Sequence, residues 1–162
     1  MNYIELSIAE NKPFPNNSLP VRYYKNLFNE KEQFDAEDII RWLKTQRFYN
    51  FWIDGVYSTH HFHSNTHELN IVVRGHAEIQ VGGPNAPILS IQQGEGLFLP
   101  AGTSHKQISS SLDFQVVGAY LERVDYDFHK GDYDYETVKR RIEQVPAPDF
   151  ILSAEGLKQG IA

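Results

Sequence analysis

The chain changes its hydrophobic period twice. Between Asp35 and about Arg47 the apolar residues Ile39, Ile40, Trp42 and Leu43 fall on one stripe, with Arg41, Lys44 and Arg47 toward the end. Such a stripe, with cations near the negative end of the dipole, predicts an amphipathic helix lying on a sheet. Asp35 is placed to cap it and Asp38 to reach back, while Phe34 and Ile39 have the spacing of a hydrophobic staple. Trp42 reads as core. From about Tyr49 the texture becomes short β-type runs: NFWIDGVYS, THHFH, ELNIVV, HAEIQV, PILSIQ, GLFLP, KQIS and FQVVGAYL. Turn signals at Arg74-Gly75, GGPNAP and QQGEG separate them, and no helical pattern intervenes. Many short, closely spaced strands predict an antiparallel sandwich or barrel.

The flanks have a different character. Residues 1–20 begin with Tyr3, Ile4, Leu6 and Ile8 in near alternation and pass into KPFPNNSLP, whose three prolines predict an extended arm over the surface. Beyond Glu122, DYDFHKGDYDYE leads into a second, short helix, YETVKRRIEQ, which must stop near Pro146. The expected organisation is an N-terminal arm and covering helix over 1–48 and a β-barrel core over 49–122. A C-terminal helix and tail over 123–162 would pack on the same domain, the tail strapping across the body or a partner subunit.

Composition narrows the partners. The 162 residues are 41% hydrophobic and 22% charged, enough for a full core. A net charge of −6 without a Lys/Arg run argues against nucleic acid and anionic membrane, both of which need a basic footprint. Small molecules or proteins are the expected partners. The N-terminus MNYIELSIAENKPF lacks the apolar run of a signal peptide and no stretch reaches transmembrane length, so a soluble, cytoplasmic protein is expected. A homodimer through a sheet edge or the terminal arms is expected as well, because exposed β edges need covering. With no cysteine, any metal must be held by nitrogen and oxygen.

Those ligands are concentrated in GVYSTHHFHSNTHELNIVVRG, from Gly55 to Gly75. On a strand His61 and His63 share a face, about 7 Å apart along the chain. Glu68 has the opposite parity, so Ser64-Asn65-Thr66-His67 must reverse the chain, and a hairpin is expected to bring the carboxylate against the two imidazoles. A fourth candidate, His105, follows the turn Pro100-Ala101-Gly102-Thr103 and could be aimed back at them. Three imidazoles and a carboxylate suit one divalent transition metal ion, with Fe, Mn or Ni favoured over Zn, and would leave two octahedral positions open. The alternative is a polar interior whose members merely hydrogen-bond to one another. Asn70 shares the inward parity of Glu68 and reads as a supporting hydrogen bond or a substrate contact. His67 in the turn reads as a loop or supporting group, and Tyr57 as a pocket neighbour of unassigned face. His60, His76 and His129 read as outward or surface residues.

These residues carry a specific resemblance. Gly55, His61, His63, Glu68 and Gly75 match the cupin pattern G-x5-H-x-H-x4-E-x6-G without a gap, and Gly94, Pro100, Gly102 and His105 match the second pattern, G-x5-P-x-G-x2-H. The chain thus resembles the cupins over roughly residues 50 to 122. Within them, HFHSNTHE, GGP, LPAGTSH and DFQVVGAY look similar to the YjlB-type single-domain cupins of unassigned function. The resemblance implies a mainly β single-domain jelly-roll barrel, the double-stranded β-helix, with short flanking helices. It also implies that His61, His63, Glu68 and His105 are metal ligands near the middle of the barrel. One departure is Ser109, where the second pattern commonly has Asn.

Three functions stay open at this level. The first is an Fe- or Mn-dependent oxygenase or oxidase of a small organic molecule. The second is a non-redox metal-dependent isomerase, epimerase or decarboxylase of a sugar or keto acid, for which no inward general base is evident. The third is a ligand-binding cupin without turnover.

Overall fold

A computed structural model describes residues 3–29, 31–150, 152, 153, 155 and 157. The helical stripe forms α1, Ala36–Thr45. The Asp35 carboxylate accepts from the Asp38 N–H at 2.9 Å and the Asp38 carboxylate from the Asp35 N–H at 3.0 Å, so two otherwise orphaned donors are matched reciprocally. Ile39, Trp42 and Leu43 are buried, and Phe34 packs beside them. The helix stops two residues before Arg47, which takes a left-handed φ of 70°.

Nine strands follow the expected texture: β1 (Tyr3–Leu6), β2 (Val21–Tyr24), β3 (Phe48–Asp54), β4 (Glu68–Arg74), β5 (His76–Val81), β6 (Ile88–Gln92), β7 (Gly96–Leu99), β8 (His105–Ser110) and β9 (Gln115–Leu121). They form a six-stranded sheet in the order β1-β2-β7-β4-β9-β3 and a three-stranded sheet in the order β6-β5-β8, with every pairing antiparallel. This is the two-sheet jelly roll that the many short strands imply.

The N-terminal stretch is more than an extended arm. β1 pairs with β2, and β2 pairs with β7 through Arg22↔Phe98 and Tyr23↔Leu97. Between them the chain does act as a strap, because the Asn16 side chain donates to Gly82 O and accepts from the Ser104 N–H.

The large sheet is buried on both faces, which is why β4, β7 and β9 read as nearly continuous apolar runs. Toward the small sheet, Val72, Leu97, Leu99 and Val116 meet Ile79 and Ile91. On the other face Leu69, Ile71, Phe98 and Val117 pack under α1, joined by Phe150 and Leu152. Each such large side chain, fully buried, contributes about 1.5–3 kcal/mol. The second helix, α2 (Tyr135–Glu143), is capped by Asp134 and lays Val138 and Ile142 against Phe14, Phe62 and Ala101. Gly102, with φ at +85°, makes this fit possible: a Cβ there would lie 2.4 Å from Ile142 Cδ1.

The expected hairpin between His63 and Glu68 does not form. Residues 57 to 62 run along β8, with Gln107 N–H donating to Tyr57 O at 2.9 Å and His61 and His105 exchanging both backbone hydrogen bonds. Only His61 and Phe62 make bridge contacts, so the expected THHFH strand is an irregular edge of the small sheet. Glu68, in contrast, opens β4 in the large sheet between β7 and β9. The bends at 64–66 therefore carry the chain across from one sheet to the other, and the parity conflict is resolved by a corner instead of a reversal.

Candidate functional site

His61 and His105 come from the small sheet and its edge, Glu68 from the large sheet, and His63 from the corner between them. Glu68 Oε1 stands 3.1 Å from His105 Nε2 and 3.3 Å from His63 Nε2. The His61 ring lies 4.1 Å from that of His105 and 6.2 Å from that of His63, centroid to centroid. All four are buried, Glu68 with 2% and His105 with 1% of its surface exposed.

Each imidazole is held from behind. Nδ1 of His61 lies 2.8 Å from Thr59 O, Nδ1 of His105 lies 3.0 Å from Thr103 O, and Nδ1 of His63 faces Asp127 O. A backbone carbonyl can only accept, so each Nδ1 carries a proton, and when the ring is neutral Nε2 keeps a lone pair. Glu68 Oε1 and His105 Nε2 are buried and have no hydrogen-bond partner.

The electrostatics follow from this crowding. Burial opposes charge on Glu68, yet the His105 and His63 imidazoles hold its carboxyl well below the usual carboxylate range. Burial lowers His61 to about 3, and the neighbouring His105 adds to the effect. For His63 burial works against protonation, but Glu68 in front and Asp127 behind outweigh it and raise the pKa. Among the described residues no group of three or more His, Asp or Glu side chains is placed so that it could hold a metal ion as it stands. What exists is a convergence of four ligand-type groups, two of whose facing atoms lack partners.

The four groups floor a cavity of about 640 Å³, the size of small-molecule sites. One wall comes from β3 and β9. Trp52 Nε1 donates to the Tyr120 hydroxyl at 3.0 Å, and that hydroxyl lies 3.4 Å from His63 Nε2. Gly118 permits this wall, since a Cβ there would meet the Trp52 ring at 1.9 Å. Burial raises the Tyr120 phenol, and the Glu68 carboxylate raises it further. The opposite rim is the segment after β9, where Tyr126 stacks on Tyr120 at 4.0 Å and Phe128 stacks on His61 at 5.2 Å.

Asp127, between those two rings, points the other way. Its carboxylate accepts from the Ser64 N–H at 2.6 Å, from the Ser64 hydroxyl and from Arg141 of α2, with His129 at 3.3 Å. His129 also exchanges both backbone hydrogen bonds with Phe62, so it belongs to this clamp and is not the surface residue expected. Asp127, Tyr120, Tyr126 and Phe128 escaped the sequence reading. Apart from the aromatic content of DYDFHKGDYDYE, nothing local marks them, because their partners are far away in the chain.

The remaining candidates separate. Tyr57 stands at the mouth, 65% exposed, with its ring on His61 and Phe128. Asn70 is buried on the inward face of β4 as parity implied, and its Oδ1 has no partner. His67 turns to the far side, where Nδ1 accepts from the Ala101 N–H at 2.9 Å and Nε2 donates to Pro146 O at 2.8 Å. There it borders a second cavity of about 520 Å³, whose Arg47 is paired with Glu122 and Asp149. His60 packs on Phe14, and His76 is exposed at the start of β5. No helix among the described residues is long and apolar enough to cross a membrane.

No family model matches the chain. It is similar to the uncharacterised protein YjlB of Bacillus subtilis, with 41% identity over 100 residues, and that match spans 61% of each protein. Among solved structures it is similar to acireductone dioxygenase from Bacillus anthracis, which has a cadmium ion in its active centre: 14% identity over 65% of this chain and 80% of that one, TM-score 0.43. It is also similar to WlaRA, a TDP-fucose-3,4-ketoisomerase from Campylobacter jejuni: 17% identity over 86% of this chain and 95% of that one, TM-score 0.39. The match to YjlB spans less than two thirds of that protein, and the two-sheet jelly roll with its two motif stretches meeting at one site is similar to the cupins.

Proposed function

We propose that the chain is a metal-dependent enzyme acting on a small organic molecule, with His61, His63, Glu68 and His105 holding one divalent transition ion. The supporting observation is the pair Glu68 Oε1 and His105 Nε2, buried, 3.1 Å apart and without hydrogen-bond partners. Two lone pairs facing each other in a dry interior repel unless a proton or a cation lies between them. The three Nδ1–H groups tied to carbonyls favour the cation, because that tautomer, with its outer hydrogen bond, is what metal-ligating histidines use. Four protein ligands favour Fe, Mn or Ni over Zn, which in catalytic sites usually takes three.

When bound, such an ion supplies Lewis acidity and, as Fe or Mn, one-electron chemistry. The protein's own part is positional. Glu68 provides the single anionic donor, the carbonyls behind the imidazoles fix their orientation, and Tyr126 and Phe128 limit water entry over His63 and His61. The reading placed first is an oxygenase or oxidase. A non-redox isomerase, epimerase or decarboxylase gains support from Tyr120, a phenol kept protonated beside His63 and able to donate a hydrogen bond to an oxygen of a bound molecule.

The deciding experiment is elemental analysis of protein purified without added metal, followed by dioxygen-uptake assays over a substrate panel. Stoichiometric Fe or Mn with substrate-dependent uptake supports the first reading. A redox-inactive ion, no uptake and turnover of a keto sugar or keto acid moves the assignment to the second. Ligand-induced thermal stabilisation with no turnover at all makes the chain a binding protein.

A further inference from the structure

We infer that the ligand of the site cavity is a planar ring compound with no carboxylate or phosphate group on the part that fills the outer cavity, away from the metal-ligand residues. This deepens the metalloenzyme reading and rests on the same cavity, but on different atoms. Trp52, Tyr57, Tyr120, Tyr126 and Phe128 line it above the ligand-type histidines, so its large side chains are mainly aromatic, with Ile53, Val56, Ser58 and Gln107 between them. Tyr57, Tyr126 and Phe128 keep a third or more of their surface exposed, although each is in ring contact with a neighbour, which leaves aromatic surface at the mouth open to a ligand. Stacked and edge-on contacts with a flat ring use such surfaces at little conformational cost, since each side chain is already held by its neighbours.

Charge completes the selection. Among the described residues lining the cavity there is no Lys or Arg, and its only carboxylates are Asp54 and Glu68. The nearby cations are committed elsewhere. Arg141 is bound to Asp127 and Ser64 behind the rim, Arg123 lies over the Tyr49 ring at 4.3 Å, and Arg47 serves the second cavity. A carboxylate or phosphate in the outer cavity, away from an ion on the floor, would lose water, meet no Lys or Arg and face Asp54. A sugar phosphate or nucleotide would need charged hydrogen-bond donors that the walls do not hold.

The test uses matched probes on full-length protein by isothermal titration calorimetry: catechol against 3,4-dihydroxybenzoate, and benzyl alcohol against benzoate, with glucose 6-phosphate as the non-aromatic anion. Each is titrated into metal-loaded and metal-stripped protein. In metal-stripped protein, where no ion can take the carboxylate, the uncharged member of each aromatic pair should bind about tenfold or more tightly than its carboxylate, a difference of about 1.4 kcal/mol. Tyr57→Ala, at an exposed position that leaves the core intact, should weaken benzyl alcohol about threefold or more. Asp54→Lys should narrow or reverse the preference against benzoate. In the stripped protein, equal or tighter binding of the carboxylates, tightest binding of glucose 6-phosphate, or no heat from either uncharged ring would overturn the inference. Failure of the metal reading looks different: no ion is retained, while the benzyl alcohol preference persists in the stripped protein.

Discussion

Ser64 and Asp127 are joined twice, backbone N–H to Oδ1 at 2.6 Å and hydroxyl to Oδ2, and this pair of hydrogen bonds ties the corner after His63 to the aromatic rim of the site. The backbone carbonyl of the same Asp127 orients His63, so one residue fixes both the imidazole and the rings that flank it.

Asp127→Asn should therefore loosen the rim. Burial opposes the Asp127 charge, but the Ser64 hydrogen bonds and His129 hold its carboxyl below the ordinary 3.8. A depressed folded pKa means stability that is present above the unfolded value and lost as pH falls through the folded one. With the carboxylate partly exposed, at 23% of its side-chain surface, screening reduces the contribution, and the variant should be about 1 kcal/mol less stable at pH 7. Denaturant melts should show this gap constant above about pH 5 and closing below about pH 4. A gap that does not change with pH would locate the effect outside the carboxylate.

Glu68→Gln keeps the volume and removes the anionic donor. Metal content after dialysis should fall about tenfold or more, as measured by elemental analysis. Unchanged occupancy would mean that the carboxylate does not coordinate.

Acid should strip the site. Metal-bound Nε2 must be unprotonated, so protons compete with the ion, and release should steepen as pH falls below about 6. Burial already disfavours protonation of His61, so the competition should run mainly through the other ligands. Dialysis against chelator across pH 4 to 8 measures it, and full retention at the acid end would exclude an accessible, reversible site.

Tyr120→Phe preserves the ring stacked on Tyr126 but leaves Trp52 Nε1 without its acceptor. The loss should be about 1 kcal/mol by denaturant titration. If Tyr120 donates a hydrogen bond to the bound molecule, turnover should fall far more than metal content does. Equal activity in the variant would confine Tyr120 to packing.

Ile88 and Ile108, on the edge strands of the small sheet, and Leu112 beyond it are exposed apolar side chains. We expect a homodimer that covers such an edge, with a light-scattering mass twice that of the chain and Ile108→Lys shifting it toward monomer. A wild-type monomer at micromolar concentration would end this expectation.

What could be read from the residues alone had a local cause. Asp35, Asp38 and the Ile39-Trp42-Leu43 stripe act within a few positions of one another, so α1 was legible almost to the residue. Glu68, Asn70 and Val72 alternate, so their shared inward face was legible too. β2 was not, because Val21–Tyr24 is too short for its period to stand out and exists through pairing with β1 and β7. The route from His63 to Glu68 was read as a hairpin because a turn signal says that the chain bends and not which sheet it enters.

The sequence by itself thus determined the covering helix, the many-stranded β texture and the four ligand-type residues in two spaced stretches, all effects of period, capping and turn chemistry along a few residues. Only the tertiary structure decided that Glu68 faces His105 from the opposite sheet, that His67 looks away, and that Tyr120, Tyr126, Phe128 and Asp127 complete the site. Their contacts span tens of residues along the chain, and such contacts are set by the packing of two sheets, a long-range burial of apolar surface that leaves no spacing rule in the chain.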